Sequence, residues 1–175
     1  MRKTIFLLGL SIAALAAGPA EAAGQIDQLR AGKLQCYGPN TTAKTCAALS
    51  GYTFGSTIMN QAEVLISANP VGTMRTNSPV TLKGEAICGT PTRKDIDDAV
   101  ITSGGQVLTA AQAANVKAQI WASMAPSAGK ELCTMYTPGA GGTYTTAYTM
   151  AGQTTTIPST TVILVSPNDG YRVAP

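Results

Sequence analysis

The chain has 175 residues, with 12 lysines and arginines, 9 aspartates and glutamates, four cysteines and no histidine. This length fits one ordinary domain, and a net charge of +3 without a basic stripe argues against a nucleic-acid partner. Because histidine is absent, Ser-His and Cys-His catalytic pairs and histidine metal sites are excluded. Apolar residues make up 45% of the chain, so the composition predicts a folded protein.

The first segment has the layout of a secretory signal peptide. Arg2 and Lys3 give a positive start, an apolar run covers residues 4–17, and Ala20-Glu21-Ala22 offers a cleavage site between small residues. We therefore predict a cleaved signal peptide over residues 1–22 and one mature domain over residues 23–175, with an uncleaved anchor as the alternative. No later stretch reaches membrane-spanning length, so we expect a periplasmic or secreted protein that is not embedded in a membrane.

Four cysteines, Cys36, Cys46, Cys88 and Cys133, lie in the predicted mature chain. An even count in an exported protein favours two disulfides. Three pairings are possible, and we favour Cys36–Cys46 with Cys88–Cys133. The first would close a local loop, and the second would tie a strand to the segment after the main helix. A redox motif or a zinc site needs closely spaced cysteine pairs, and nine residues separate the closest pair here.

Short strands separated by turns are predicted for most of the mature chain. Turn signals stand at Asn69-Pro70, Ser78-Pro79 and Gly104-Gly105. A short opening helix is expected over residues 25–31. Runs rich in valine, threonine and tyrosine predict strands over residues 33–37, 51–54, 62–67, 71–76, 80–83, 86–89, 100–102, 131–137, 143–150 and 160–165.

One long helix is predicted to begin at Thr109, which forms a capping box with Gln112, and to end at Pro126. Thr92 and Asp95 predict a second capping box and a short helix. An apolar stripe on one helix needs a sheet to cover it. We therefore expect an α+β fold: an antiparallel or mixed sheet with one main helix packed on a face, stapled by two disulfides. The stripe consists of Ala113, Val116, Ile120 and Met124.

No catalytic constellation emerges from the sequence. Ser127 and Lys130 match the letters of an S-x-x-K pair, but that motif needs its serine at the start of a helix, and this serine lies in a loop. Asp95, Asp97 and Asp98 are close enough to suggest Ca²⁺, but no calcium loop accompanies them, and capping explains Asp95. We therefore predict no catalytic residue, no cofactor and no metal.

The strand over residues 143–150 carries the most distinctive surface pattern. A period of two places Tyr144, Thr146, Tyr148 and Met150 on one face. An exposed face of this kind would suit stacking on sugar rings or packing against a partner. In the alternative, which the alternation favours, the tyrosines cover the helix and the threonines face water. Tyr144, Thr146 and Tyr148 are thus a possible binding face.

Five short motifs are spread over most of the mature chain: Leu34-Gln35-Cys36-Tyr37-x-Pro39, Lys44-Thr45-Cys46, Cys88-Gly89-Thr90, Met124-Ala125-Pro126 with Gly129-Lys130-Glu131-x-Cys133, and Asp169-Gly170-Tyr171-Arg172-Val173. Together they resemble a group of uncharacterised small exported proteins of alphaproteobacteria. The resemblance implies export and paired cysteines, and it implies no catalytic residue.

These observations favour an exported, non-catalytic envelope protein with a binding or structural role. Its expected partner is an envelope protein or a glycan, and its oligomeric state stays open. The alternatives are a small periplasmic hydrolase with an unrecognised site, and an inhibitor of a secreted hydrolase that presents the loop over residues 138–142. A deep pocket that gathers Asp95, Ser127 or Lys130 would favour the enzyme, whereas an exposed tyrosine face or a rigid loop would favour binding.

Overall fold

The computed structural model describes residues 24–175, so the predicted signal peptide lies outside the described residues. The described chain contains three α-helices, α1 (Gln25–Arg30), α2 (Arg93–Asp97) and α3 (Ala110–Ser123), and short 3-10 turns at Ala140–Gly142 and Pro167–Asp169. Its strands are β1 (Leu34–Tyr37), β2 (Thr45–Cys46), β3 (Ala48–Thr53), β4 (Ile58–Ala68), β5 (Val71–Lys83), β6 (Ala86–Gly89), β7 (Val100–Ser103), β8 (Gln106–Val107), β9 (Leu132–Pro138), β10 (Thr143–Met150), β11 (Gln153–Thr154), β12 (Thr161–Val165) and β13 (Arg172–Val173).

Eight of these strands close into an antiparallel barrel. The order around the wall is β4, β3, β1, β12, β10, β9, β6 and β5, and β5 pairs back onto β4 to complete the ring. The β4–β5 hairpin forms the longest pairing, from Ile58 opposite Val80 to Ala68 opposite Val71. Closure leaves the barrel strands few free edges and lets the sheet cover its own inner face.

The predicted α+β architecture, with one main helix packed on the face of a sheet, is wrong. The chain is mostly β, and its wall strands surround an interior instead of a helical layer. The apolar stripe of α3 does exist, but Ala113 and its neighbours pack against Ile96, Ile101 and Met74 of α2, β7 and β5. A closed sheet supplies both sides of its own core, so this small helix covers only a local patch.

Helices cover both ends of the barrel. At one end, Ile26 and Leu29 of α1 are buried against Ile87 and pack on Leu82, late in β5. At the other end, the α2–α3 cluster includes Met74, early in β5. Because these two positions lie at opposite ends of one wall strand, α1 closes one mouth while α2 and the end of α3 flank the other.

Both predicted disulfides are formed, and the favoured pairing is confirmed. Cys36–Cys46 ties β1 to β2 on the outer side of the wall, next to Val165. Cys88–Cys133 joins β6 to β9 at directly opposite positions. Two disulfides indicate an oxidising, non-cytoplasmic compartment. Within residues 24–175, no helix has the length and apolar character needed to cross a membrane.

The region around Ser78-Pro79 is not the predicted turn, because residues 71–83 form one continuous strand. One edge of β5 pairs with β4 along this stretch. Its other edge pairs with β7 over residues 72–75 and with β6 over residues 81–83, and the register gives residues 76–80 no partner there. A proline is tolerated at such an unpaired edge, since its missing N–H breaks no ladder bond.

The local signals at other turns are confirmed. Thr92 and Thr109 both cap their helices through the predicted capping boxes. Gly104 and Gly105 join β7 to β8, and both have positive φ (+56° and +79°). A two-residue hairpin turn of this kind requires positive φ at both central positions, which glycine adopts without strain.

Candidate functional site

The barrel contains a cavity of about 270 Å³. Its wall comes from inner faces of β1, β3, β4, β5, β6 and β9, while α2 and the end of α3 border it on one side. A dry cavity of about 150 Å³ already holds benzene, and an eight-stranded barrel has an interior that either fills with side chains or holds one small ligand. The most distinctive lining residues are three tyrosines, Tyr37, Tyr52 and Tyr136.

The strand register explains why these side chains converge. Gln35 of β1 lies opposite Ser50 of β3, and Tyr52 of β3 lies opposite Asn60 of β4. Directly opposite residues share a face of the sheet, and faces alternate along each strand. Gln35 and Tyr37 therefore point inward, whereas Cys36 between them points outward to its disulfide.

The tyrosine hydroxyls form a hydrogen-bonded cluster with Gln35. The Tyr52 hydroxyl donates to Gln35 Oε1 at 2.7 Å, and the Tyr37 hydroxyl donates to the same oxygen at 3.0 Å. The hydroxyls of Tyr37 and Tyr136 are 2.6 Å apart, so Tyr136 donates to Tyr37 when Tyr37 donates to Gln35. We call Gln35, Tyr37, Tyr52 and Tyr136 the tyrosine cluster.

Gln35 itself is fully buried, at 0% exposure. Its amide nitrogen has no hydrogen-bond partner among the described residues. A buried donor left without a partner costs about 1–3 kcal/mol. Gln35 contributes to the cluster through its side-chain oxygen, which accepts hydrogen bonds from two tyrosine hydroxyls.

Burial raises the pKa of Tyr37 and Tyr52 well above the usual tyrosine value, and the neighbouring phenols add to the effect. Burial also raises the pKa of Tyr136, which its hydrogen bond with Tyr37 partly offsets. The three rings keep some exposed surface because they line an open cavity, whereas their hydroxyls meet within the cluster. All three phenols are therefore protonated at neutral pH, where they donate and accept hydrogen bonds rather than act as bases.

The predicted binding face, Tyr144, Thr146 and Tyr148, lies on the inner side of β10. Thr146 is opposite Tyr136 and Tyr148 is opposite Thr134, both on the inner face of β9. The three residues thus neither form an exposed platform nor cover α3, which packs elsewhere. Their role as a binding face stays a prediction.

The three residues of this face differ in what they contact. Thr146 is 1% exposed, and its hydroxyl oxygen accepts a hydrogen bond from the Thr160 N–H at 2.7 Å, which fixes the approach to β12. The Tyr144 hydroxyl accepts from Gln28 Nε2 of α1 at 3.5 Å. Tyr148 is close enough to Tyr37 to contribute to that residue's raised pKa, so it borders the tyrosine cluster.

The residues considered for catalysis are not brought together. The Ser127 hydroxyl donates to the backbone carbonyl of Met124 at 3.0 Å, in the turn after α3. Lys130 lies beside a separate shallow depression near β11. We call the cavity bordered by the tyrosine cluster the tyrosine cavity. Of Asp95, Ser127 and Lys130, which would favour an enzyme if a pocket gathered them, only Asp95 lines it.

Acidic side chains on α2 already have partners. Asp97 Oδ1 lies 2.9 Å from Arg93 Nε, and Asp98 Oδ2 lies 2.5 Å from Lys94 Nζ. Asp95 Oδ2 accepts from the backbone N–H of Thr92 at 2.8 Å. Within residues 24–175, the one cluster of possible metal ligands combines Glu131 with the Cys88–Cys133 disulfide, whose sulfurs are oxidised and cannot act as thiolates.

The tyrosine cluster was not predicted from the sequence, although a signal for it exists. A polar residue precedes a tyrosine by two positions on three different strands, in the pairs Gln35/Tyr37, Ser50/Tyr52 and Thr134/Tyr136. Each pair shares one face of its strand. Only the register between distant strands shows that the three faces are the same inner face.

Comparison of the chain with protein-family models, with curated proteins and with solved structures finds no match. The function is therefore inferred from the cavity and its chemistry.

Proposed function

We propose that this protein is an exported, non-catalytic binding protein that holds one small molecule inside its barrel. The observation that carries the proposal is the cavity of about 270 Å³ lined by Tyr37, Tyr52 and Tyr136. The proposal replaces the expected partner, an envelope protein or a glycan, with a small ligand, because convergent polar and aromatic groups lie inside the wall. The signal-peptide layout and the two disulfides support a periplasmic or secreted location.

The part of the ligand that enters the tyrosine cluster is uncharged. Every cluster side chain is neutral, and an unpaired charge in such an interior is strongly disfavoured by desolvation. The tyrosine rings offer apolar contact surface, while their hydroxyls and the inward-facing Ser50, Asn60 and Thr134 offer hydrogen bonds. These features suit a small ring compound with one or two hydroxyl or carbonyl groups.

Binding rather than turnover fits the same groups. The phenols that dominate the lining have raised pKa values and are poor general bases at neutral pH. Ser127, the serine considered as a nucleophile, donates its hydroxyl hydrogen to a backbone carbonyl and lies outside the cavity lining. The hydrolase is therefore the weaker proposal.

The proposal is tested by filling the cavity. Saturation-transfer NMR is run on the mature protein with a set of neutral aromatic alcohols and amides that are small enough for the cavity. Ser78→Phe places a ring into the lining, whereas Asn77→Phe places the same ring on the outer face of the same strand. We expect binding to the wild type and to Asn77→Phe, and loss of binding to Ser78→Phe.

Two results would contradict the proposal. One is the absence of binding to the wild type by every fragment in the set. The other is binding that survives in Ser78→Phe, which would place the fragments elsewhere on the surface. Circular dichroism and the midpoint of thermal unfolding confirm that each variant is folded, and Ser78→Leu provides a smaller filling residue if Ser78→Phe is not.

A further inference from the structure

The lining of the tyrosine cavity contains one formal charge. Asp95 is the only acidic or basic side chain among its lining residues in the described chain. It stands on the α2 side, between Thr90-Pro91 and Ile96. The cavity is thus neutral at the tyrosine cluster and negative at its α2 side.

No basic side chain neutralises Asp95 through an ion pair within residues 24–175. Its neighbours Arg93 and Lys94 are held at Asp97 and Asp98 on the exposed side of α2. The Arg93 guanidinium also lies 5.9 Å from the centre of the Trp121 ring, which holds it against α3. Asp95 instead accepts hydrogen bonds from the Thr92 N–H and hydroxyl.

The strand pairing of the wall is interrupted next to Asp95, where α2 packs against β5. On the edge of β5 that faces α2, pairing stops between the β7 contact at residues 72–75 and the β6 contact at residues 81–83. Thr76, Ser78 and Pro79 of this unpaired stretch line the cavity together with Asp95. A ligand seated in the cavity along this stretch therefore has one end beside Asp95.

We propose that the ligand is a small organic cation whose ammonium group lies against Asp95 while its uncharged ring fills the tyrosine cluster. The inference rests on the proposed function and adds the chemical class of the ligand. A carboxylate at the edge of a low-dielectric cavity attracts an ammonium group and repels an anion.

The experiment compares three ring compounds of similar size: benzylamine, which is a cation at neutral pH, neutral benzyl alcohol and anionic benzoate. Their affinities are measured by NMR titration at low and high salt. We expect benzylamine to bind about tenfold more tightly than benzyl alcohol, equivalent to the attraction of one partly exposed charge pair, and benzoate to bind most weakly. The preference for benzylamine should shrink at high salt, because Asp95 is partly exposed to solvent.

Two variants locate the effect. Asp95→Asn removes the charge and keeps an oxygen that can accept the capping hydrogen bond, whereas Asp97→Asn removes the same charge from the exposed side of α2. We expect Asp95→Asn to weaken benzylamine about five- to tenfold and to leave benzyl alcohol unchanged. Asp97→Asn should leave the affinities for both compounds near the wild-type values.

The two proposals fail in different ways. If benzyl alcohol binds as tightly as benzylamine, or if Asp95→Asn leaves the preference intact, the cation proposal is wrong and the cavity remains a binding site. If none of the three compounds and none of the neutral fragments binds, the proposed function itself is wrong. The ranking of the three compounds on the wild-type protein decides the matter even if Asp95→Asn does not fold.

Discussion

Replacement of Tyr52 by phenylalanine removes one hydroxyl from the tyrosine cluster, and the main hydrogen bond of that hydroxyl is the one to Gln35. The Tyr52 hydroxyl donates to Gln35 Oε1 at 2.7 Å, and Gln35 still accepts from Tyr37 when that bond is removed. Losing one buried hydrogen bond in this way should lower the free energy of unfolding by about 1 kcal/mol. The ring itself stays, so its packing on Phe54, with ring centres 6.3 Å apart, is unchanged.

Replacement of Tyr37 by phenylalanine should cost more, because its hydroxyl has two partners. It loses the bond to Gln35 and the 2.6 Å bond to Tyr136, and it leaves the buried Tyr136 hydroxyl without that acceptor. The expected loss is about 2–3 kcal/mol, at least about 1 kcal/mol more than for Tyr52→Phe.

Urea unfolding, followed through the single tryptophan, measures the stability of both variants. Trp121 lies on α3, away from the cluster, so neither substitution changes its immediate surroundings. Tyr171→Phe is the control, since Tyr171 packs on the outer cluster around the Cys36–Cys46 disulfide. This substitution should lower the free energy of unfolding by no more than about 0.5 kcal/mol. A Tyr52→Phe variant that loses as much stability as Tyr37→Phe would refute the arrangement of hydrogen bonds described here.

Three further predictions concern pH, the disulfides and the barrel end. Below about pH 10 the three tyrosines with raised pKa values are protonated in both the folded and the unfolded chain, so stability does not change with their titration. Above that pH the unfolded chain releases protons that the folded cluster keeps, and the free energy of unfolding measured with urea should fall by up to about 4 kcal/mol per pH unit. In Tyr52→Phe this slope should be smaller by about 1.4 kcal/mol per pH unit. The Cys88–Cys133 disulfide joins residues 45 positions apart in the chain, and Cys36–Cys46 joins residues 10 positions apart. Replacing the first pair by serines should therefore destabilise the protein about 1.3 kcal/mol more than replacing the second. The reverse order would show that packing outweighs the entropy of loop closure. The Leu29 side chain is 1% exposed, so Leu29→Ala should lower the free energy of unfolding by about 2–5 kcal/mol in the same assay, and it should allow the barrel to bind longer ligands. Asp27→Ala, on the exposed side of α1, should have neither effect.

Local structure was predictable wherever a short pattern decides it. The strand over residues 143–150, the two capping boxes and the Gly104-Gly105 turn follow from the chemistry of neighbouring residues, and the structure has all of them. The sequence left three cysteine connectivities open and favoured the one with a local loop, and the structure has that pairing.

The barrel was not predictable in the same way, because its closure depends on pairing between strands far apart in the chain. β1 lies between β3 and β12, and β6 lies between β5 and β9. The inner faces also carry polar residues such as Gln35, Ser50 and Asn60, which a pattern of apolar core and polar surface assigns to the outside. The one amphipathic helix then suggested a layered fold, although it covers only one end of the barrel.

The polar interior changes which residues hold the fold together. Most buried hydrophobic residues of the described chain form three clusters: one around α3, one around α1, and one outside the wall at Cys36–Cys46. The first two lie towards the ends of the barrel, where Met74, Ile96 and Ile87 also border the cavity. Stability thus comes mainly from the end helices, the disulfides and the ladder of the wall, which leaves the middle of the barrel free to carry hydroxyls and open space. Substitutions at Leu29 should therefore change stability first, whereas substitutions at Ser78, which lines the cavity on β5, should change the cavity first.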